Sequence, residues 1–342
     1  MTIGNNISKG YINIVDKDVH KGQLTSLNLE RHSENFAKPV LFRGLVNIDP
    51  KLPTREFFDR VEPSKTLQWR VKSGDKAVSM RSPDGSSDYN YVTGKVGTGA
   101  EFLDDIFVRE LDVYSHLGTI SSGYNDPYPW GKEAFNLVKD NIFSSGWFSI
   151  DNWKVSGHMF VGRSNQDFGE PRNGAVGSDW HMFPTLNIFV MITGQKKWMT
   201  RPPKQGEQHR DYDKMFSTSS GREAPGEDFE CDIVYVEPGD VLLNLPFEWH
   251  KVLNAKGFSL GAAFRVIDTD YLAGLSARKT LDTDRVNINA DMAEKEELAH
   301  LLTSISYASR HINRAQMILN DVEYAYLRRR KGAVDSVNIG HL

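Results

Sequence analysis

The stretch SDWHMFPTLNIFVMITGQKKW, residues 178–198, places a histidine at the head of a long apolar strand that ends in a Gly-Gln-Lys-Lys turn. Further strand patterns lie on both sides of it, at residues 147–162, 232–245 and 257–267. Turn signals separate them, and in the Glu-Pro-Gly-Asp sequence at 237–240 proline presets the turn and glycine accepts a positive φ. Regularly spaced strands joined by such turns predict a β-sandwich or small barrel.

Helical patterns flank this β-rich centre. On its N-terminal side the apolar spacing predicts helices at residues 54–61, 100–111 and 131–143, and a buried strand within residues 38–45. After the last strand pattern the spacing is helical almost to the end of the chain. The sequence thus predicts an α+β protein in three parts: an N-terminal mixed α/β part that packs on the core (1–146), the β core (147–270) and a C-terminal helical region (271–342).

The composition narrows the function classes. Among 342 residues, 39% are hydrophobic and 25% are charged, as in ordinary globular proteins. The net charge of −4 gives no reason to expect a nucleic-acid partner. Cys231 is the single cysteine, which excludes an intrachain disulfide and favours a reducing compartment. Without an apolar run of about eighteen residues or a signal-peptide pattern, we expect a cytoplasmic protein that does not enter a membrane.

Two histidines stand at strand ends. His181 opens the apolar strand quoted above, and His250 follows a second strand in PGDVLLNLPFEWHKV. Two histidines on facing strands supply the imidazole half of a 2-His-1-carboxylate site for non-haem iron. Taken alone, each histidine is more often an ordinary core or surface residue than a ligand, so the surrounding residues decide between these interpretations.

Two ordered sets of residues surround these histidines. The first set is Ser178, His181, Asn187, Lys196 and the Arg-Pro-Pro sequence at 201–203. The second set is the Pro-Gly-Asp sequence at 238–240, Pro246, Trp249 and His250. Both resemble the metal strands of the JmjC-type, cupin-like Fe(II)/2-oxoglutarate-dependent oxygenases, and residues 38–44 are similar to the family's N-terminal strand, which is a weaker match.

The resemblance implies a fold and a set of ligands. The fold would be a double-stranded β-helix (jelly-roll, cupin) core with N-terminal α/β elements and a C-terminal helical tail. The metal would be Fe(II), bound by His181 and His250. The cosubstrate would be 2-oxoglutarate, bound by Ser178, Asn187 and Lys196.

The chemistry of 2-oxoglutarate gives these residues physical roles. Its far carboxylate needs a fixed cation and a hydroxyl donor, which Lys196 and Ser178 provide. The alternative for Lys196 is a surface lysine in the turn after Gly194, which is the role we expect for Lys197. Asn187 either supports the chelating end of the cosubstrate or caps a strand, and both interpretations are open.

The sequence departs from the family at one ligand. Phe183 stands where the family has the metal-binding Asp, and its phenyl ring neither ligates a metal nor leaves room for a halide. Asp179, two residues before His181, would share a strand face with it at roughly 6–7 Å and could reach the metal if the strand bends. A third ligand could instead come from His158, Asp167 or Glu170. In a two-histidine site, water or cosubstrate would complete the coordination.

Three functions compete. The first is a 2-oxoglutarate-dependent dioxygenase that oxidises a C–H bond in an amino acid, a natural-product intermediate or a protein side chain, so that its partner is a small molecule or a peptide. The second is a catalytically silent, cupin-like binding protein that lost its ligand Asp. The third is a cupin enzyme that uses a metal without 2-oxoglutarate. Ser178, Asn187 and Lys196 favour the first, because a binding protein has no need of a cosubstrate site.

The C-terminal region carries a heptad pattern. Apolar side chains alternate spacings of four and three residues, and Gly332 is a plausible stop after them. The positions are Leu301, Ile305, Ala308, Ile312, Ala315, Leu319, Val322 and Tyr326. We expect a homodimer through these helices. The alternative is a single helix packed along its own β core, which needs a similar stripe.

Overall fold

A computed structural model describes a β-rich chain. It covers residues 10–20, 31–34, 36–48, 55, 66–71, 78–79, 95–121, 153–168, 176–181, 186–202, 231–245 and 248–268. The elements are β1 (Asn13–Val15), α1 (Lys17–His20), β2 (Val40–Phe42), β3 (Thr66–Val71), β4 (Val78–Ser79), β5 (Lys95–Thr98), α2 (Gly99–Phe107), β6 (Val113–Ser121), β7 (Trp153–Ser164), β8 (Val176–His181), β9 (Asn187–Thr193), β10 (Lys196–Arg201), β11 (Asp232–Val236), β12 (Val241–Asn244), β13 (Trp249–Asn254) and β14 (Gly257–Asp268).

The strands form two sheets. The large sheet has nine strands in the order β1-β2-β12-β9-β14-β7-β6-β3-β5, and the small sheet has five in the order β11-β10-β13-β8-β4. From β8 onward the chain passes repeatedly from one sheet to the other, and the pairs β12·β9, β14·β9, β10·β13 and β13·β8 are antiparallel. The strand patterns at 232–245 and 257–267 are confirmed, as are the described part of 147–162 and the strand within residues 38–45. The prediction that His181 opens the apolar strand is wrong: His181 ends β8 in the small sheet, and the apolar run forms β9 in the large sheet.

Strand β9 is buried on both faces. Ile188, Val190 and Ile192 belong to one apolar cluster, which also contains Trp69 and Phe102 from the N-terminal part. The alternate residues of β9 belong to a second cluster with the small-sheet residues Trp198 and Val252; they are Phe189 and Met191. Because successive strand side chains point to opposite faces, the small sheet covers one face of β9 and the N-terminal elements cover the other. The apolar side chains Phe189 and Met191 therefore lie between the two sheets.

Helix α2 confirms the helix predicted at residues 100–111, with an earlier end. Thr98 caps its start: the Glu101 amide donates to Thr98 Oγ1 at 3.2 Å, and the Thr98 amide donates to Glu101 Oε2 at 2.7 Å. The helix ends at Phe107, and Glu110 takes a φ of 50°, a left-handed conformation that an α-helix does not continue through. Its buried face carries Phe102, Leu103 and Ile106.

The predicted turn at residues 237–240 is confirmed and is fastened to β2. The Asp240 amide donates to the Glu237 carbonyl at 2.9 Å, and Gly239 has a φ of 88°. A Cβ on Gly239 would lie 2.6 Å from the Val46 carbonyl, so only glycine fits. Asp240 accepts hydrogen bonds from Arg43 Nη1 at 2.5 Å and from the backbone amide of residue 44 at 2.8 Å. This turn fixes the start of β12, the strand that ends at Asn244.

Several predicted features lie outside the described residues. They are the helix at 131–143, all but one residue of the helix at 54–61, and the whole C-terminal region with its heptad pattern. The division of the chain at residues 146 and 270 stays a prediction. Within the part of the chain that is described, no helix is long and apolar enough to cross a membrane.

Candidate functional site

The two predicted metal histidines are brought together by the small sheet. Strands β8 and β13 pair antiparallel with His181 directly opposite His250. Directly opposite residues of an antiparallel pair share one face, with Cβ atoms about 4.5–5.5 Å apart. On the other side of β13, Thr200 of β10 lies opposite His250. The sequence expectation that two distant histidines meet on neighbouring strands is thus supported by the backbone register.

The ring of His250 is fixed by its neighbours. It is buried and stacks on Trp198 with centroids 5.3 Å apart and planes 10° apart. Its Nδ1 atom lies 2.9 Å from the backbone carbonyl of Glu248. A carbonyl oxygen only accepts, so a hydrogen bond between these atoms requires the proton on Nδ1 and leaves the lone pair on Nε2. The side-chain nitrogen of Asn244 also lies 3.2 Å from Nδ1. A backbone carbonyl on one ring nitrogen is the usual arrangement for a histidine that binds metal through the other.

The strand that carries His181 contains a bulge. Register pairs join His250 to His181 and Val252 to Ser178, so two steps along β13 face three steps along β8. The additional residue lies between Ser178 and His181, where Asp179 stands. A bulge breaks the strict alternation of side chains and re-aims the residues within it. It supplies the bend that Asp179 would need to reach a shared ion, while the Asp179 side chain itself lies outside the described part.

Two of the other proposed third ligands are placed by the strand register. Asp167 is exposed and its carboxylate accepts from the Lys256 amide at 3.2 Å, beside the Gly257 end of β14. Asn187, which lies near His250, pairs with Arg265 of β14, eight residues or about 26 Å along that strand from Gly257. Asp167 is therefore too far from His250 to bind the same ion. Position 158 lies opposite Ala263, which belongs to the cluster between the sheets, so His158 stays open. Glu170 and Phe183 lie outside the described residues.

The sequence analysis missed a buried glutamate, Glu248, whose backbone carbonyl contacts the His250 ring. Glu248 is fully buried, with 0% of its surface exposed, directly before β13. Its position two residues ahead of the second histidine was the available signal, whereas the family resemblance points to the first strand for a carboxylate ligand. Among the described side chains no group of three or more His, Cys, Asp or Glu is placed to hold a metal ion. The side chain of His181 lies outside that set.

Lys196 is the most unusual charge of the site. It is 3% exposed, at the start of β10, and its ammonium donates to the side-chain oxygen of Asn254. Among the described side chains no carboxylate lies within ion-pair distance of it. Burial alone lowers the pKa of Lys196 to about 7. The alternative of a surface lysine is therefore wrong for Lys196, whereas Lys197 lies on the other face of β10 and is partly exposed, as expected.

The spacing along β13 fits a ligand between the histidine and the lysine. Lys196 lies opposite Asn254, four residues after His250, which separates the two levels by about 13 Å of backbone. A lysine side chain and a five-carbon dicarboxylate together span such a gap. Ser178 lies opposite Val252, at the level between them, and is half-buried. This is the position that a hydroxyl donor to the same ligand would need.

Buried amide groups without partners surround this interval. The side-chain oxygens of Asn187 and Asn244 and the side-chain nitrogen of Asn254 are buried and make no hydrogen bond. Asn187 lies directly opposite Asn244 on β12, and Asn244 contacts the His250 ring. Buried polar groups are normally hydrogen-bonded, so these atoms mark an interval whose hydrogen bonding is incomplete as the amides are placed. Asn187 opens β9, and its side-chain oxygen accepts no hydrogen bond that would cap the strand.

Comparisons with known proteins add no assignment. No protein-family model and no curated protein matches the chain. The function of the site therefore has to be inferred from its residues, their burial and their register.

Proposed function

We propose that the chain is an Fe(II)/2-oxoglutarate-dependent oxygenase, and that its two sheets form a double-stranded β-helix core. The substrate would be an amino acid, a natural-product intermediate or a protein side chain, presented as a small molecule or a peptide. The observation that carries the proposal is the buried ammonium of Lys196, which has an amide as its partner and no carboxylate among the described side chains.

The charge of Lys196 identifies the kind of ligand. A buried ammonium is costly unless an anion joins it. The ligand must therefore carry a carboxylate that reaches Lys196, while its other end lies about 13 Å of backbone away, level with His250. A dicarboxylate with a keto acid end meets both requirements. Asn187 and Ser178 then donate to its oxygens, and Asn254 holds the lysine in place.

The metal fits the donors that the chain offers. His250 presents Nε2 as its lone-pair nitrogen because Nδ1 is engaged by the Glu248 carbonyl, and His181 lies opposite. Iron bound here would supply the oxidation of the C–H bond by dioxygen. Two neutral imidazoles leave its +2 charge uncompensated, so the cosubstrate anion would favour its binding. Asp179 or the buried Glu248 would reduce that dependence if either supplied a third ligand.

Metal affinity with and without 2-oxoglutarate tests the proposal. Wild type should bind Fe(II) anaerobically and more tightly with cosubstrate, and His181→Ala should abolish binding. Asp179→Ala and Glu248→Gln are the matched pair for the third ligand: whichever abolishes binding identifies it, and neither does so if the cosubstrate completes the site. Substrate screening by succinate release would then identify what is oxidised. Iron binding in none of these proteins would refute an oxygenase.

A catalytically silent binding protein is the second candidate. Phe183, in place of the ligand Asp, is the observation that favours it. Anaerobic addition of Fe(II) and 2-oxoglutarate separates the two, because only the chelate gives a visible charge-transfer band. A cupin enzyme that uses metal alone would bind Fe(II) without any contribution from Lys196. It would therefore show the same affinity in Lys196→Ala as in wild type.

We also propose that residues 271–342 form a homodimer through their heptad pattern. Sedimentation should give a dimer at micromolar concentration. Deletion of residues 291–342 should give a monomer that still binds 2-oxoglutarate. A stable full-length monomer, or a dimer unaffected by the deletion, would reject this assembly.

A further inference from the structure

The surroundings of His250 Nδ1 contain a conflict between two donors. Nδ1 lies 2.9 Å from the Glu248 carbonyl and 3.2 Å from the side-chain nitrogen of Asn244. The carbonyl requires a proton on Nδ1, and that proton then faces the NH₂ group of Asn244. At the same time the side-chain oxygen of Asn244, 2% exposed as a residue, is buried without a hydrogen bond.

Rotation of the Asn244 side-chain amide by 180° removes both the contact between two donors and the oxygen without a hydrogen bond. Amide nitrogen and oxygen have nearly the same size, and their assignment follows from the hydrogen-bond network. After the rotation, the Asn244 oxygen accepts from Nδ1–H together with the Glu248 carbonyl. The NH₂ group takes the place of the oxygen that had no partner, so that Asn244 presents a donor toward Asn187.

Asn187 provides a reason for that donor. It lies directly opposite Asn244 in the β9·β12 pair, and its side-chain oxygen is also buried without a hydrogen bond. Opposite side chains of neighbouring strands have Cβ atoms about 4.5–5.5 Å apart, within reach of an amide-to-amide hydrogen bond. After the rotation the Asn244 NH₂ group would be a donor for the Asn187 oxygen, and the hydrogen bonds would run from Asn187 through Asn244 to the histidine ring.

We propose that Asn244 is the positioning residue of His250: its side-chain oxygen accepts from Nδ1–H, fixes that tautomer, and ties the ring to the Asn187 amide. Its flanks show why an asparagine stands there. Leu243 and Leu245 are buried and apolar, and a leucine at 244 would avoid the cost of burying an amide. The inference deepens the proposed metal site and rests on it only where metal affinity is concerned.

The tautomer is measured first, in wild-type protein without metal. Long-range ¹H–¹⁵N correlation spectra of ¹⁵N-histidine protein distinguish Nδ1–H from Nε2–H, and the His250 signals are assigned by their loss in His250→Gln. We expect the Nδ1–H tautomer. An Nε2–H tautomer would overturn the inference, because Nδ1 would then accept from the Asn244 NH₂ group. The measurement needs no variant at 244 to fold and no metal to bind.

Two substitutions then test the direction of the hydrogen bond. Asn244→Asp can only accept, so it should keep the Nδ1–H tautomer and tighten anaerobic Fe(II) binding by about tenfold or more. Asn244→Leu removes the acceptor and should weaken it by about tenfold. Gln166→Glu, an exposed site, adds the same charge elsewhere and should leave the affinity unchanged. Loss of the Nδ1–H tautomer in Asn244→Asp, or affinities as weak as in Asn244→Leu, would refute the role of Asn244. An Nδ1–H signal with Fe(II) binding in none of the proteins upholds it and refutes the metal site instead.

Discussion

Two buried charges, one in the layer outside the large sheet and one between the sheets, have opposite surroundings. Asp105 of α2 is fully buried and accepts from Trp69 Nε1 at 2.9 Å, Lys95 Nζ at 2.8 Å and Arg109 Nη1 at 2.7 Å. Lys196 is nearly as buried and has a single amide partner. The first charge is compensated by neighbouring cations, whereas the second has no carboxylate partner among the described side chains.

The two groups respond to burial in opposite ways. Burial raises the pKa of Asp105, but hydrogen bonds from Lys95 and Trp69, with Arg109, more than offset it, and the net pKa lies below its ordinary value. Burial lowers the pKa of Lys196 to about 7, and no opposing cause restores it. A buried charge that stabilises the fold has its hydrogen-bond and ionic partners within the protein, whereas a buried charge that binds a ligand finds its ionic partner in that ligand. This contrast is the reason for proposing a binding site at Lys196 and a structural ion pair at Asp105.

The largest expected effect is the loss of cosubstrate binding in Lys196→Ala. A buried carboxylate of 2-oxoglutarate would lose its charge-assisted partner, at about 3 kcal/mol, roughly a hundredfold in affinity. Lys197→Ala, on the other face of β10, should change the affinity little. Calorimetric titration of both proteins with 2-oxoglutarate gives the comparison. Equal, small effects of the two substitutions would remove Lys196 from the site.

Asp105→Asn breaks the satisfied charge. The amide oxygen still accepts from Trp69, while the hydrogen bonds from Lys95 and Arg109 lose their ionic character. Because those two side chains are 46% and 54% exposed, their charges return to water, and we expect a loss of about 2 kcal/mol in the free energy of unfolding.

Urea unfolding of Asp105→Asn is best compared with Glu110→Gln. The Glu110–Arg163 ion pair is 3.1 Å long with the carboxylate 63% exposed, so its loss should cost no more than about 0.5 kcal/mol. Neither substitution should alter 2-oxoglutarate affinity, since neither residue lies between the sheets. If Asp105→Asn were as mild as Glu110→Gln, Asp105 would not be the anchor of the outer layer.

If the proposed site holds iron, Phe183→Asp would supply the carboxylate that the oxygenases this sequence resembles place beside the metal. The carboxylate would offset one unit of the +2 charge and should tighten Fe(II) binding without cosubstrate by about tenfold, or 1.4 kcal/mol. The dependence of metal affinity on 2-oxoglutarate should shrink at the same time. Anaerobic Fe(II) competition assays with and without cosubstrate measure both. If Phe183→Asp changes Fe(II) affinity neither with nor without cosubstrate, Asp179 or Glu248 already supplies the carboxylate.

The strands and the inward lysine could be predicted from the sequence because their signals are local. Strand alternation and the Pro-Gly-Asp turn at 238–240 are recognisable within a few residues. The choice of Lys196 over Lys197 followed from the order of the motif residues, and Lys196 is the buried one of the two.

What the sequence could not supply is set by pairing between distant segments. The bulge in β8 appears only in its register with β13, so the face of Asp179 was not readable from alternation. Asn244 and Glu248 resemble ordinary strand-end residues until the His250 ring is placed between them. Asp105 gains its role from Trp69 and Lys95, which precede it by 36 and 10 residues.

The most direct test of an uncompensated Lys196 is the pH dependence of the free energy of unfolding. The pKa of Lys196 is about 7 in the fold against 10.5 ordinarily. Between these values the unfolded chain binds one more proton than the native chain. The free energy of unfolding of wild type should therefore rise with pH there, by at most about 1.4 kcal/mol per pH unit. Below pH 7 both states are protonated, and the cost of the buried charge is present in full.

Lys196→Met has no buried charge at this position. Its free energy of unfolding should exceed that of wild type at neutral and lower pH, and this difference should shrink as the pH rises through about 7 toward 10. Urea unfolding at several pH values, without ligand, measures it. Parallel stability curves would show that the lysine is charged and compensated in the fold. With saturating 2-oxoglutarate at low pH, the free energy of unfolding of wild type should exceed that of Lys196→Met, because the bound carboxylate keeps Lys196 protonated. The affinity of wild type for 2-oxoglutarate should fall about tenfold per pH unit above pH 7.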